Sequence, residues 1–73
     1  MKLSKMQKGQ SGTVKNIDCK ESVKNKLLCF GITDGVQITL IRHAPLNGPL
    51  EIKVRGFYLA LEKSVADKID VII

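Results

Sequence analysis

The sequence predicts a mostly β fold: a small, closed or partly open five-stranded barrel, with one α-helix between the first two strands and a short helical turn before the last. Three observations carry that reading. Residues 36–41 and 50–55 alternate apolar and polar side chains with period two, and a proline-bracketed turn separates them. A third apolar segment, 57–62, follows directly after Gly56, so three strands run in succession as a meander. Helical spacing is clearest over residues 21–30.

Taken in order, Leu3 and Met6 are apolar positions in a lysine-rich opening, and Gly9, Ser11 and Gly12 are turn residues before the first strand. That strand, 13–18, is short and β-branched. Val14 and Ile17 are its anchors, and their spacing of three requires a bulge or an early end. In the helix, Val23, Leu27 and Phe30 fall at i, i+4 and i+7 and share one face, while Lys20, Glu21 and Lys24 lie toward water. Gly31 ends it, because glycine takes the left-handed conformation cheaply just past a helix, and Ile32 can then pack back on Leu27. Thr33, Asp34 and Gly35 turn the chain into the second strand.

In the hairpin, Val36, Ile38, Leu40, Leu50, Ile52 and Val54 share the core face, and Glu51, Lys53 and Arg55 face water. Residues 42–49 interrupt the pairing. Pro45 and Pro49 cannot donate ladder hydrogen bonds, and Asn47 and Gly48 tolerate positive φ. The third strand of the meander sets Phe57, Leu59 and Leu61 toward the core. Ser64 is expected to cap a short helical turn, with Asp67 three residues on. Residues 70–73 are almost continuously apolar and predict a strand covered on both faces or paired across the barrel seam.

The 73 residues form one expected domain, 1–73, with one modest core. No apolar run approaches the roughly 18 residues that a membrane span requires, and the lysine-rich residues 1–10 have no apolar segment behind them. The expected compartment is the cytoplasm. Cys19 and Cys29 fit it as reduced thiols behaving as small buried hydrophobes; they do not form a Cys-x-x-Cys pair. The formal charge of +5 is uneven, since seven lysines against Asp18 and Glu21 place the whole excess in residues 1–26. Such a region can steer toward acidic protein faces, nucleic acid or the inner membrane leaflet, or simply solvate the fold.

Little in the chain is equipped for catalysis. Ser4, Ser11, Ser22 and Ser64 lie outside any nucleophile elbow, the carboxylates are dispersed, and His43 would have to act alone. The glycines around Ser11 and Thr33 lack the Gly-Lys-Ser/Thr ending of a phosphate loop. A metal centre would need Cys19, Cys29 and His43 to converge. The expectation is therefore a non-enzyme without cofactor or metal site. A nucleic-acid-binding barrel using Lys2, Lys5 and Lys8 is the alternative, and Tyr58 is the one aromatic ring available for stacking.

With the residues laid out this way, the chain resembles the FeoA family of small cytoplasmic accessory proteins of bacterial ferrous-iron uptake. The resemblance is carried by Leu3, Gly9, Val14 and Ile17, by residues 27–32 with Gly35, and by the Ala-Pro-Leu-Asn-Gly-Pro turn at 44–49. It continues through Val54, Gly56, residues 59–61, Ala66 and residues 69–71. Lys26 stands where members often carry arginine, and Asn47 replaces a frequent glycine. The resemblance implies an SH3-like β-barrel, a fold shared with the C-terminal domain of iron-dependent repressors. It also implies a partner role on FeoB, the membrane transporter with a cytoplasmic G-protein domain, and through it a peripheral association with the membrane. The contact is expected at Lys24 and Lys26 on the helix and at His43, Ala44, Pro45, Leu46, Asn47, Gly48 and Pro49 in the loop, because loops carry binding and prolines limit the entropy lost on docking. The final apolar strand also offers an edge for pairing between chains, leaving a homo-oligomer open.

Overall fold

A computed structural model describes residues 1–73. A 3-10 turn, Leu3–Lys5, precedes β1 (Ser11–Ile17), α1 (Glu21–Cys29), β2 (Gln37–His43), β3 (Leu50–Val54), β4 (Phe57–Leu61), α2 (Lys63–Ala66) and β5 (Ile69–Ile72). All five strands form one antiparallel sheet in the order β4-β3-β2-β1-β5. The meander and the single helix between β1 and β2 stand as the residue pattern requires. The sheet's outer strands are β4 and β5, so the seam is not closed by strand pairing.

Alternation builds the core. Ile38, Leu40, Leu50, Ile52 and Val54 are all within 1% of complete burial, while Glu51 and Lys53 between them are exposed. Each such side chain contributes roughly 1.5–3 kcal/mol on leaving water. Val36 is only partly buried. The bulge expected in β1 lies between Val14 and Asn16, against β5, and it lets both Val14 and Ile17 face inward. Leu3 and Met6 are fully buried, so the lysine-rich opening is part of the core.

The helix stop at Gly31 is a Schellman arrangement: Ile32 N–H donates to Leu27 C=O at 2.9 Å and Gly31 N–H to Leu28 C=O at 2.9 Å, with φ +81° at Gly31. Leu27 and Ile32 are buried together in the core cluster.

Six expectations need correction. The helix ends at Cys29, so Phe30 leaves the helical face and is 47% exposed. Phe57 is 43% exposed, because it sits at the outer end of β4 beside the two-residue loop Arg55–Gly56. β2 runs on through Arg42 and His43 past a second bulge, pairing them with Glu51 and Leu50, so the interruption is shorter than predicted. The Arg42–Glu51 ion pair holds that extension. Glu62, without a side-chain cap, precedes α2, and Asp67 accepts a hydrogen bond from Ser4 Oγ instead of facing Ser64. Cys29 is an exposed free thiol and Cys19 a partly buried one, so only Cys19 packs against the core. Finally, β5 pairs with β1, and Ile72 and Ile73 are 56% and 61% exposed rather than covered.

Candidate functional site

The expected contact residues occupy two separate places. The hairpin tip joins β2 to β3 through Ala44–Pro49. Ala44 N–H donates to Pro49 C=O at 3.0 Å and Gly48 N–H to Pro45 C=O at 3.1 Å, closing a tight turn whose central residues, Leu46 and Asn47, both have positive φ (59° and 56°). Asparagine tolerates that conformation; leucine does so at a cost of about 1–2 kcal/mol. Leu46 is nevertheless 98% exposed, so neither burial nor backbone preference accounts for an apolar side chain here. At the base of the tip, His43 Nε2 lies 2.9 Å from the Met6 carbonyl and ties the hairpin to the buried N-terminal segment. Asn47, Gly48 and Pro49 line an open cleft of about 320 Å³ with Glu62, Lys63 and Ser64 at α2.

Lys24 and Lys26 lie elsewhere. Both are exposed on α1, Lys26 in its last turn, where a cation suits the helix dipole. The C-terminal end of α1 borders Arg55 and Phe57, at the Val54 end of β3, whereas the tip joins the Leu50 end. Four residues of extended chain separate those ends by about 13 Å at ~3.3 Å per residue. The helix lysines and the tip do not form one continuous patch.

A surface that residue patterning missed lies beside α1. Leu28 (59% exposed), Phe30 and Phe57 border a cleft of about 380 Å³ with Cys29, Gly31 and Arg55. A Cβ at Gly31 would stand 2.3 Å from Arg55 Cδ, so the bare glycine is what lets the arginine chain cross the helix end. The available signal was Leu27-Leu28: adjacent residues on a helix cannot both face one core.

Charge elsewhere is committed to structure. Ser4 donates to Asp67, and that hydrogen bond is the main reason the Asp67 carboxyl is held below the ordinary aspartate value, helped by Lys63, Lys5 and Lys68. Lys2 binds Asp70 at 3.0 Å and, chiefly by hydrogen bonding, lowers its pKa as well. Lys2 and Lys5, two of the three lysines Lys2, Lys5 and Lys8, thus face carboxylates of the fold itself. No three His, Cys, Asp or Glu side chains are grouped to hold a metal ion; Cys19, Cys29 and His43 remain apart. No helix is long and apolar enough to cross a membrane.

The fold is that of a small SH3-like β domain, with exposed apolar residues at the hairpin tip and beside α1. The FeoA domain family matches residues 1–73, and the chain belongs to that family. It is 25% identical over 71 residues to a Porphyromonas gingivalis Fe(2+) transport protein A/Fe(2+) transporter FeoB fusion protein, covering 97% of this chain and 8% of that one. A putative Fe(2+) transport protein A of Helicobacter pylori is 37% identical over 49 residues, which span 67% of this chain and 63% of that one. The solution structure of FeoA from Chlorobium tepidum superposes with a TM-score of 0.94 at 30% identity, over 100% of this chain and 70% of that chain. A zinc-complexed FeoA of Stenotrophomonas maltophilia, described as a prokaryotic SH3 domain protein, shares the fold with a TM-score of 0.82 at 23% identity, over 97% of this chain and 88% of that chain.

Proposed function

We propose that this chain is a non-enzymatic accessory protein of bacterial ferrous-iron uptake that binds and modulates the cytoplasmic part of a FeoB-type transporter. The observation that carries the reading is the fusion relative, in which a region similar to 71 residues of this chain and a FeoB transporter share one polypeptide. A FeoA-like region carried on one polypeptide with a FeoB transporter supports a direct contact between the two kinds of domain. The cytoplasmic compartment follows from that partner.

The contact residues we assign are Leu46 with its neighbours His43 to Pro49, and Lys24 and Lys26 as a second patch. Leu46 supports the assignment best, as an exposed apolar residue on a strained backbone whose cost the folded monomer does not recover. Because the tip and α1 lie about 13 Å apart along the sheet, a partner engaging both must present contacts at least that far apart.

An amide-shift titration with the transporter's G-protein domain, with and without a GTP analogue, tests this reading. Saturable shifts at residues 43–49, and at Lys24 and Lys26, are expected. Leu46→Asp should weaken binding about tenfold or more while the thermal midpoint moves by less than about 2 °C, as an exposed residue allows. Absence of saturable shifts at both patches would refute the assignment.

A further inference from the structure

β4 is an outer strand, and the fold leaves its free side bare. Arg55 and Gly56 both have positive φ, the pattern of a two-residue hairpin loop, so Val54 and Phe57 form the first hydrogen-bonded pair. Pairs alternate from there. Phe57, Leu59 and Leu61 aim their N–H and C=O groups at β3, and Tyr58 and Ala60 aim theirs outward. No turn, loop or side-chain hydrogen bond takes up the main chain of Tyr58 or Ala60. β4 also lacks charge, proline and bulge, the usual protections of a sheet edge.

The other outer strand is guarded. Val71 N–H donates to Met1 C=O at 2.7 Å, and Lys2 bridges and ion-pairs with Asp70, so the N-terminal residues lie along β5. The edge open to pairing is therefore not the final apolar strand but β4.

We propose that β4 is a homodimer interface, in which two copies pair β4 against β4 antiparallel about a two-fold axis at Leu59. In this register Tyr58 of each copy faces Ala60 of the other, and the outward donors and acceptors of one strand meet acceptors and donors of its copy. Side chains match across the axis. The exposed Tyr58 ring lies beside the small Ala60, and the half-exposed Phe57 meets Leu61 on the inner face.

Charge selects the same register. On β3, Lys53 stands behind Tyr58, with its Nζ 5.5 Å from the ring centroid, and Glu51 stands behind Ala60. Each row across the dimer then runs Lys53, Tyr58, Ala60, Glu51, with a cation at one end and an anion at the other. Slipping the register to set Tyr58 against Tyr58 would place a lysine at both ends of one row. The chain's +5 excess sits in residues 1–26, so residues 27–73 bring no net charge to the contact. A single strand pair is a small interface, and the dimer is accordingly weak and concentration-dependent, with a Kd of about 10 µM to 1 mM.

Sedimentation equilibrium of the 73-residue protein, 8.1 kDa, tests the proposal. Between about 10 µM and about 1 mM the weight-average mass should climb toward twice the monomer value. Amide exchange at Tyr58 and Ala60 should slow over the same range. Ala60→Pro deletes an outward N–H without touching the β3 ladder, and Tyr58→Lys adds a charge to the edge. Each should raise the dimer Kd about tenfold or more with the thermal midpoint nearly unchanged. A mass fixed at 8.1 kDa at about 1 mM would overturn the proposal. So would a dimer that survives both substitutions, or exchange protection that falls on Ile72 instead.

Discussion

Replacing Gly31 puts the helix stop to a quantitative test. Its φ of +81° belongs to the left-handed region, where an L-residue costs about 1–2 kcal/mol relative to glycine. The new Cβ would also meet Arg55 Cδ at 2.3 Å, but Arg55 is exposed and its side chain can swing aside, so the backbone supplies most of the loss. A domain of this length has about 4–11 kcal/mol of stability in total, at ~0.05–0.15 kcal/mol per residue. Gly31→Ala should therefore lower the thermal midpoint by about 4–16 °C, taking ~4–8 °C per kcal/mol for a domain this small. Gly31→Val should cost more, since β-branching crowds the same conformation. Circular dichroism melts measure both, and repeating Gly31→Ala in an Arg55→Ala background separates backbone strain from the arginine contact. Two results refute the reasoning: a midpoint within about 2 °C of the parent, or a loss that vanishes once Arg55 is truncated.

Two further outcomes follow from the core and from the N-terminal strap. Leu50→Ala, at a fully buried position of β3, should cost about 2–5 kcal/mol and lower the thermal midpoint by about 8 °C or more, read by the same melts. Because Asp67 and Asp70 have lowered pKa values in the fold, their contacts with Ser4 and Lys2 contribute stability above the ordinary aspartate value of 3.8 and lose it as pH falls through the depressed folded values. Acid titration should thus raise the exchange rates of amides in residues 1–6 and 69–72 before those of β3, and Ser4→Ala should remove the Asp67 part of the effect.

The candidate site was legible in sequence only in part. Residues 44–49 were recognisable because prolines and Asn-Gly forbid a continued ladder there. That Leu46, and not only Asn47, takes positive φ and points wholly into water needed the closed geometry of the turn. The cleft of Leu28, Phe30 and Phe57 was hidden because an aromatic ring in a periodic segment reads as core whichever way the element ends.

What the sequence determined by itself is the local and periodic part of the protein. Period-two alternation set the core face of β2 and β3, the spacing of Val14 and Ile17 demanded a bulge or an early end in β1, and Gly31 with Ile32 ended the helix. These follow from backbone sterics and side-chain direction within a few residues, so the chain carries them without help. Only the tertiary structure decided matters of long sequence separation. It turned Asp67 from a helix cap into the partner of Ser4, carried β2 past Leu40 to pair Arg42 with Glu51, and laid Met1 and Lys2 along β5 while leaving β4 open. Each depends on which distant segment fills the remaining space and satisfies the remaining polar groups, and no periodicity along the chain encodes that choice.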